Sequence, residues 1–201
     1  MNHPTLRALG GATAPTRLDP ARSALLVIDF QNEYFSGRLP LPEGERALRN
    51  TRRLVDHADR AGIKVFHVQH VDAPDSPIFA EGSVGGDFHR DLQPGPTHEV
   101  VRKTSVSVFP TTDLDQRLRA AGIDTLVIAG LMTHACVAGA ARDASPLGYE
   151  VVVVDDACAT RDIDSGAGVD HATLHRATLA SIDDTFGAIL STEQVLGLAL
   201  R

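Results

Sequence analysis

The chain has little of three features that would tie it to particular compartments or partners: cysteine, clusters of basic residues and long apolar runs. Two cysteines occur in 201 residues, outside any Cys-x-x-Cys or zinc-binding spacing, which excludes a disulfide framework and favours a reducing cytoplasm. The formal net charge is −7, and no run of Lys and Arg appears. Because neutralising phosphates needs a basic face, we expect small molecules or other subunits as partners and no nucleic acid.

Apolar stretches such as residues 24–28 and 151–154 are far shorter than the roughly 20 residues needed to cross a bilayer, so we expect no membrane span. Residues 1–20 contain three prolines and lack the continuous apolar core of a signal peptide. A length near 200 fits one domain. We therefore expect an N-terminal tail over residues 1–20 and a single domain over residues 21–201.

From residue 24 onward, short apolar runs alternate with longer stretches of helical period, which is typical of a parallel sheet with crossover helices. The clearest runs are apolar on both faces, so helices should cover both sides of the sheet. The predicted strands are 24–30, 64–71, 100–105, 125–131, 150–155 and 186–190. The predicted helices are 43–61, ending at Gly62, a second from Thr112 or Asp113 to Gly122, and then 133–147, 167–181 and 192–200.

The segment 72–99 has no clear period, because four prolines and four glycines interrupt it. Loops of this length in a compact domain are usually functional or disordered. Its apolar residues Ile78, Phe79, Val84 and Phe88 suggest that it folds against the body as a wall or lid over a site. A surface excursion without a role is the alternative.

Three residues with chemical potential stand near the carboxyl ends of predicted strands, where open parallel sheets bind ligands. They are Asp29, Lys103 and Cys136. Taken alone, each has an ordinary explanation: a turn cap, a lysine extended into solvent and an inert buried thiol. Taken together they supply a base, a cation that tunes it and a nucleophile placed on the first turn of a helix.

Other candidates are weaker. Cys158 also follows a strand, but no base is placed as well for it, so we interpret it as structural. His67 and His70 are three residues apart on a strand and point to opposite faces, which is poor geometry for a shared metal. His134 could bind substrate or simply occupy the helix start. Asp72 could share a side with His70, but no third ligand accompanies them, so no metal is expected. No glycine-rich nucleotide motif occurs, so no cofactor is expected either.

Three ordered motifs carry a resemblance. They are Asp-x-Gln-Asn at residues 29–32, Lys-x-x-x-Ser-x-Phe at residues 103–109 and Gly-x-x-Thr-x-x-Cys-Val at residues 130–137. Over about residues 24–190 the sequence resembles the isochorismatase-like cysteine hydrolases. Nicotinamidases of that superfamily show Asp-x-His after the second strand, whereas this chain has His70-Val71-Asp72 there. It therefore looks like the metal-free branch.

The resemblance implies a three-layer α/β/α fold with a six-stranded parallel sheet in the order 3-2-1-4-5-6. It implies a triad of Cys136, Asp29 and Lys103, in which the cysteine attacks an amide carbonyl and forms a thioester. It also implies a cis peptide at Leu131–Met132, with the amides of Met132 and Cys136 as the oxyanion hole.

By the same resemblance, Gln31, Tyr34 and Phe109 would face the substrate, and the chain would assemble as a homodimer or homotetramer. The sequence thus predicts a cofactor-free hydrolase of a carbon–nitrogen bond in a small-molecule amide. Two alternatives stay open. One is a vinyl ether hydrolase of the isochorismatase type, in which the aspartate protonates the substrate. The other is a non-catalytic scaffold of the same fold.

Overall fold

The computed structural model describes residues 3–200, and a parallel sheet runs through their centre. The strands are β1 (Arg17–Leu18), β2 (Ser23–Ile28), β3 (Lys64–His70), β4 (Glu99–Lys103), β5 (Thr125–Leu131), β6 (Glu150–Ala159), β7 (Ala188–Leu190) and β8 (Ala199–Leu200). The helices are α1 (Leu6–Leu9), α2 (Gly44–Ala61), α3 (Leu114–Ala120), α4 (Ala138–Ala144), α5 (His171–Thr185) and α6 (Thr192–Leu196). Short 3-10 and π-helical turns cover Asn32–Tyr34 and Thr133–Val137.

Six strands form the sheet in the order β4-β3-β2-β5-β6-β7, all parallel. Numbered along the chain, this is the predicted order 3-2-1-4-5-6, and the α/β fold class is confirmed. The strand β2 is central, so that Leu26 pairs with Phe66 of β3 and with Ile128 of β5. The carboxyl ends of β2, β4 and β5 consequently meet at one edge of the sheet.

The core has two layers, one on each face of the sheet. Along β2, Leu25 and Val27 pack in the layer that contains the apolar face of α2, whereas Leu26 and Ile28 pack in the layer that contains α3 and α4. All six residues of β2 are buried. A strand alternates its side chains between faces, so a run that is apolar throughout needs cover on both sides, as the sequence predicted.

Several element ends differ from the prediction. The helix α5 begins at His171 and not at residue 167, because the Asp170 side chain accepts from the Thr173 amide and caps it there. The predicted last helix ends at Leu196, and Ala199–Leu200 pair with β1 as a strand. The strand β6 continues to Ala159, past the predicted end at residue 155. Its register against β5 shifts between Ile128 and Gly130.

The segment between β3 and β4 packs on the body. Phe79 and Leu92 are buried in the core, and Gln31 forms an isolated bridge with Phe88. Val84 is the exception to the predicted packing, because it is 75% exposed. The loop therefore forms a wall beside the carboxyl ends of β2 and β3.

The segment predicted to be an N-terminal tail contains α1 and β1. The Leu6 amide donates to Asp184 of α5, and β1 lies parallel to β8. The division of the chain at residue 20 stays a prediction. Among residues 3–200, no helix combines the length and the apolar character that crossing a bilayer requires.

Candidate active site

Asp29 follows β2 directly and is fully buried. Its φ is 57°, in the left-handed region that aspartate tolerates better than most residues, and its amide donates to the Val68 carbonyl of β3. The carboxylate lies 2.9 Å through Oδ2 from Lys103 Nζ. Within residues 3–200, neither carboxylate oxygen has a hydrogen-bond partner. The buried carboxylate is thus balanced by the charge of Lys103, and both of its oxygens are free to accept a hydrogen bond.

Lys103 ends β4, and its side chain is fully buried. Besides Asp29, the ammonium contacts His70 Nδ1 at 2.9 Å, the Ser105 carbonyl at 3.1 Å and Cys136 Sγ at 3.5 Å. Burial acts to lower the pKa of Lys103. The charges and hydrogen bonds of Asp29 and Cys136 outweigh it, so the pKa is raised above its ordinary value. The ammonium is therefore the charged centre of the site.

Cys136 lies in the π-helical turn that follows β5 and is 5% exposed. Burial raises the pKa of this thiol strongly and the negative charge of Asp29 adds to the effect, while Lys103 opposes it. Burial and the neighbouring carboxylate thus both favour the thiol form of Cys136 over the thiolate. Cys158 is fully buried, and burial raises the pKa of its thiol to about 12.

The turn that carries Cys136 is fixed on both sides. The peptide bond between Leu131 and Met132 is cis. Thr133 Oγ1 lies 2.8 Å from His175 Nδ1 of α5, and His134 Nδ1 lies 2.6 Å from Thr160 Oγ1, just after β6. The cysteine turn is thereby tied to the elements that flank it.

Tyr34 is one of the residues expected to face the substrate. It is 3% exposed, and its ring meets Phe79 edge-on at 5.1 Å. Burial raises the pKa of Tyr34, and the negative charges of Asp29 and Cys136 raise it further. The pKa of His134 is lowered by partial burial and by the charge of Arg161.

The structure gives protein partners to two residues that were expected to contact the substrate. Gln31 is fully buried, its Nε2 donates to the carbonyls of His70 and Gly86, and its Oε1 accepts from the His70 amide. No amide hydrogen is left for a substrate, so Gln31 fastens the wall loop to β3. Phe109 packs against Tyr149, with ring centroids 6.3 Å apart, near the amino end of β6. Contact of Phe109 with the substrate stays a prediction.

Sequence reasoning missed two contributions. His70 was considered only as a metal ligand, but its ring bonds the ammonium of Lys103. Arg161 was not considered at all, although its Nε is buried without a hydrogen-bond partner in the described part of the chain. Because β6 runs to Ala159, Arg161 stands at a strand end like the other candidates. A correct end for β6 would have brought it into view.

A cavity of about 230 Å³ adjoins the cysteine turn, at the carboxyl end of β6. Two of its lining residues, Thr160 and His175, hold His134 and Thr133 of that turn. Charged groups on its lining include Glu43, Arg46 and Arg176. Across residues 3–200, no three His, Cys, Asp or Glu side chains converge in a way that could hold a metal ion.

Comparison with known proteins agrees with the fold. The Isochorismatase domain family matches residues 23–194. An uncharacterized isochorismatase family protein of Bacillus subtilis, YddQ, is 34% identical over 179 residues, covering 87% of this chain and 98% of that protein. The ureidoacrylate amidohydrolase RutB of Acinetobacter baylyi is 32% identical over 224 residues, covering 94% and 88%. An isochorismatase crystal structure from Pseudomonas putida superposes with a TM-score of 0.89 at 30% identity, covering 96% and 98%.

Proposed function

Because this chain belongs to the isochorismatase family, we propose that it is a cysteine hydrolase that cleaves a carbon–nitrogen bond of a small-molecule amide. The observation that carries the proposal is the convergence of Asp29, Lys103 and Cys136 from three strand ends, with Lys103 Nζ 2.9 Å from Asp29 and 3.5 Å from Cys136. The relative RutB of Acinetobacter baylyi is a ureidoacrylate amidohydrolase and aligns with this chain over 88% of its length. This relative supports the choice of a carbon–nitrogen bond.

In the proposed reaction, Asp29 takes the thiol proton as Cys136 Sγ forms a bond to the carbonyl carbon of the amide. The carbonyl oxygen becomes an oxyanion, which the amides of Met132 and Cys136 would hold. When the tetrahedral intermediate collapses, Asp29 returns the proton to the nitrogen, the carbon–nitrogen bond breaks and an amine or ammonia leaves. The product on the enzyme is a thioester.

Hydrolysis of the thioester repeats the same proton transfers with water as the nucleophile. Asp29 accepts a proton from the water while the water oxygen bonds to the acyl carbon. The Cys136 sulfur then leaves and takes the proton back from Asp29. The acid is released and the thiol is restored. Lys103 stays charged throughout, because it lies between the carboxylate and the sulfur, the two groups that carry negative charge in turn.

The cavity beside the cysteine turn supports a small substrate. Its volume of about 230 Å³ is below the roughly 300 to 1,000 Å³ of ordinary ligand pockets, so only a small group fits. In the proposal the amide carbonyl lies at Cys136, and the rest of the substrate extends past His134 into this cavity. In the proposal Tyr34, whose ring packs against Phe79, contributes an apolar surface to the site.

The test is ammonia release from a panel of primary amides, carbamoyl compounds and nicotinamide, with and without a chelator. We compare the wild-type protein with Cys136→Ala, Asp29→Asn and the matched control Asp75→Asn, an aspartate that is exposed. We expect Asp75→Asn to behave like wild type. We expect turnover by Cys136→Ala and by Asp29→Asn to fall at least about a hundredfold. A positioned proton-transfer group typically contributes about a hundredfold to ten-thousandfold to the rate.

Mass spectrometry provides a second readout. A slowly turned-over substrate should add the mass of its acyl group to the peptide that contains Cys136. Turnover that persists in Cys136→Ala would exclude the thioester route, and turnover that stops with chelator would require a metal.

A further inference from the structure

The cysteine turn, Thr133–Val137, is tied to the rest of the molecule at its first two residues. It is a single π-helical turn, and no side chain caps its amino end. Turns of this kind are rare and frequently lie at functional sites. Thr133 Oγ1 lies 2.8 Å from His175 Nδ1 of α5. His134 Nδ1 lies 2.6 Å from Thr160 Oγ1, just after β6.

The two ties differ in what their loss would cost. Thr133 is fully buried, so its hydroxyl cannot turn to water when its partner is removed. His134 is only partly buried, so water can take the place of Thr160. A buried polar group left without a partner shifts a local equilibrium by roughly 5- to 150-fold, more than the loss of a bond that water replaces. The bond between Thr133 and His175 is therefore the stronger constraint on the turn.

His175 can make this bond in either of its neutral forms. Partial burial lowers the pKa of His175, and the charge of Arg46 adds to the effect. The ring is therefore neutral at neutral pH and presents one N–H and one lone pair. Because the Thr133 hydroxyl both donates and accepts, the bond forms whichever ring nitrogen carries the proton. The ring also lines the cavity beside the cysteine turn.

We propose that His175 is a positioning residue that holds the cysteine turn through Thr133 and so keeps Cys136 in place for attack on the substrate. The inference rests on the proposed function in taking Cys136 as the nucleophile. His175 acts from α5, a helix that carries none of the three central residues. Because its ring lines the cavity as well, it joins the substrate pocket to the turn that carries the nucleophile.

The first test measures the access of a reagent to Cys136 and needs no substrate. Labelling with iodoacetamide is followed at one mildly alkaline pH by mass spectrometry of the peptide that contains Cys136. This side chain is 5% exposed, so it reacts through local opening of the turn. Cys158 is fully buried in β6 and reports global unfolding in the same sample.

The variants differ in whether the bond to Thr133 survives. His175→Leu removes it, so we expect Cys136 to be labelled at least about fivefold faster than in the wild-type protein, the lower end of the effect of an unsatisfied buried group. His175→Asn places an amide nitrogen or oxygen close to the position of Nδ1 and should label like wild type. The matched control is His171→Leu on the same helix, because His171 bonds Asp162 and not the turn. It should also label like wild type.

Equal labelling of Cys136 in His175→Leu and in the wild-type protein overturns the proposal. An increase of the same size in His175→Asn or His171→Leu also overturns it, because the hydrogen bond is then not the cause. If His175→Leu exposes Cys158 as well, Thr133→Val replaces it, since valine keeps the shape of the side chain and removes the bond from the other side. No buried hydroxyl is stranded, so we expect a rise of about twofold, and a rate equal to wild type overturns the proposal.

A second readout separates positioning of the turn from mere lining of the cavity. With any amide that the wild-type protein hydrolyses, the kcat of His175→Leu should fall at least about fivefold while KM changes less than about twofold, because the turn acts on the transition state. A change confined to KM would make His175 a wall of the cavity only and overturn the proposal. Absence of amide turnover in the wild-type protein would instead count against the proposed function and leave the labelling test valid.

Discussion

The buried ion pair between Asp29 and Lys103 should dominate the response of stability to mutation at this site. Both side chains are fully buried, with 2.9 Å between Oδ2 and Nζ. Lys103→Met keeps much of the volume of the side chain and removes its charge. It leaves the Asp29 carboxylate buried without a counter-charge, and breaking a buried pair in this way costs about 3–5 kcal/mol. That is a large share of the 5–15 kcal/mol by which domains are typically stable.

The double variant Asp29→Asn/Lys103→Met separates the lost pair from the stranded charge. With both charges gone, no uncompensated ion remains, so we expect the double variant to recover at least about 2 kcal/mol relative to Lys103→Met. Urea unfolding at neutral pH measures each free energy. The control is Arg53→Met, which breaks an exposed pair with Glu193 of 2.6 Å and should change stability by less than about 1 kcal/mol.

Two outcomes would refute this reasoning. If Lys103→Met unfolds at the same urea concentration as the wild-type protein, the carboxylate is not stranded by the loss of its partner. If the double variant is less stable than Lys103→Met, the pair contributes through packing and not through charge.

Lys103 should also remain charged over the ordinary pH range. Its pKa is raised in the folded state, so its contribution is complete below its unfolded value of 10.5 and is lost as pH rises beyond its folded value.

Two further predictions concern groups around the site. Because burial raises the pKa of Cys158 from 9.0 to about 12, folding is favoured below pH 9.0 and this contribution declines as pH rises toward 12. The unfolding free energy of wild type should therefore fall more steeply than that of Cys158→Ala over this window, by up to about 1.4 kcal/mol per pH unit, and equal slopes in urea titrations would contradict it. Arg161→Gln should raise the pKa of His134, because the arginine charge adds to burial in lowering it. If an NMR titration shows no rise in the pKa of the His134 imidazole, the charge of Arg161 does not act on that ring.

The sequence alone predicted the sheet and the three central residues, because both rest on patterns that are local. Runs such as residues 126–129 show which strands are buried on both faces, and parallel strands bring their carboxyl ends to one edge. Asp29, Lys103 and Cys136 could thus be placed near one another without knowing any loop. The helix boundary at Gly62 was equally local, since a left-handed residue with φ of 74° ends α2 there.

The positions of loop side chains could not be predicted in the same way. Gln31 and Phe109 lie in motifs that the resemblance associates with substrate, but their orientation depends on which backbone groups pack next to them. The side-chain amide of Gln31 donates a hydrogen bond to the carbonyl of Gly86, which lies in the loop between β3 and β4. Tyr149, from the far end of β6, packs against Phe109. Such partners are separated by tens of residues along the chain, and no local pattern reports them.

The Lys103 side chain extends from β4 past β3 to Asp29, which follows β2. This ion pair also bears on how β4 pairs with β3 at the edge of the sheet. The strand β4 has five residues, and its pairing with β3 places Lys103 beside His70. Moving β4 by a single residue would turn every side chain to the opposite face, strand the ammonium in an apolar layer and leave Asp29 uncompensated. A misaligned β4 is therefore penalised electrostatically, so we expect the buried ion pair between Asp29 and Lys103 to favour the correct register of β4 as the sheet forms.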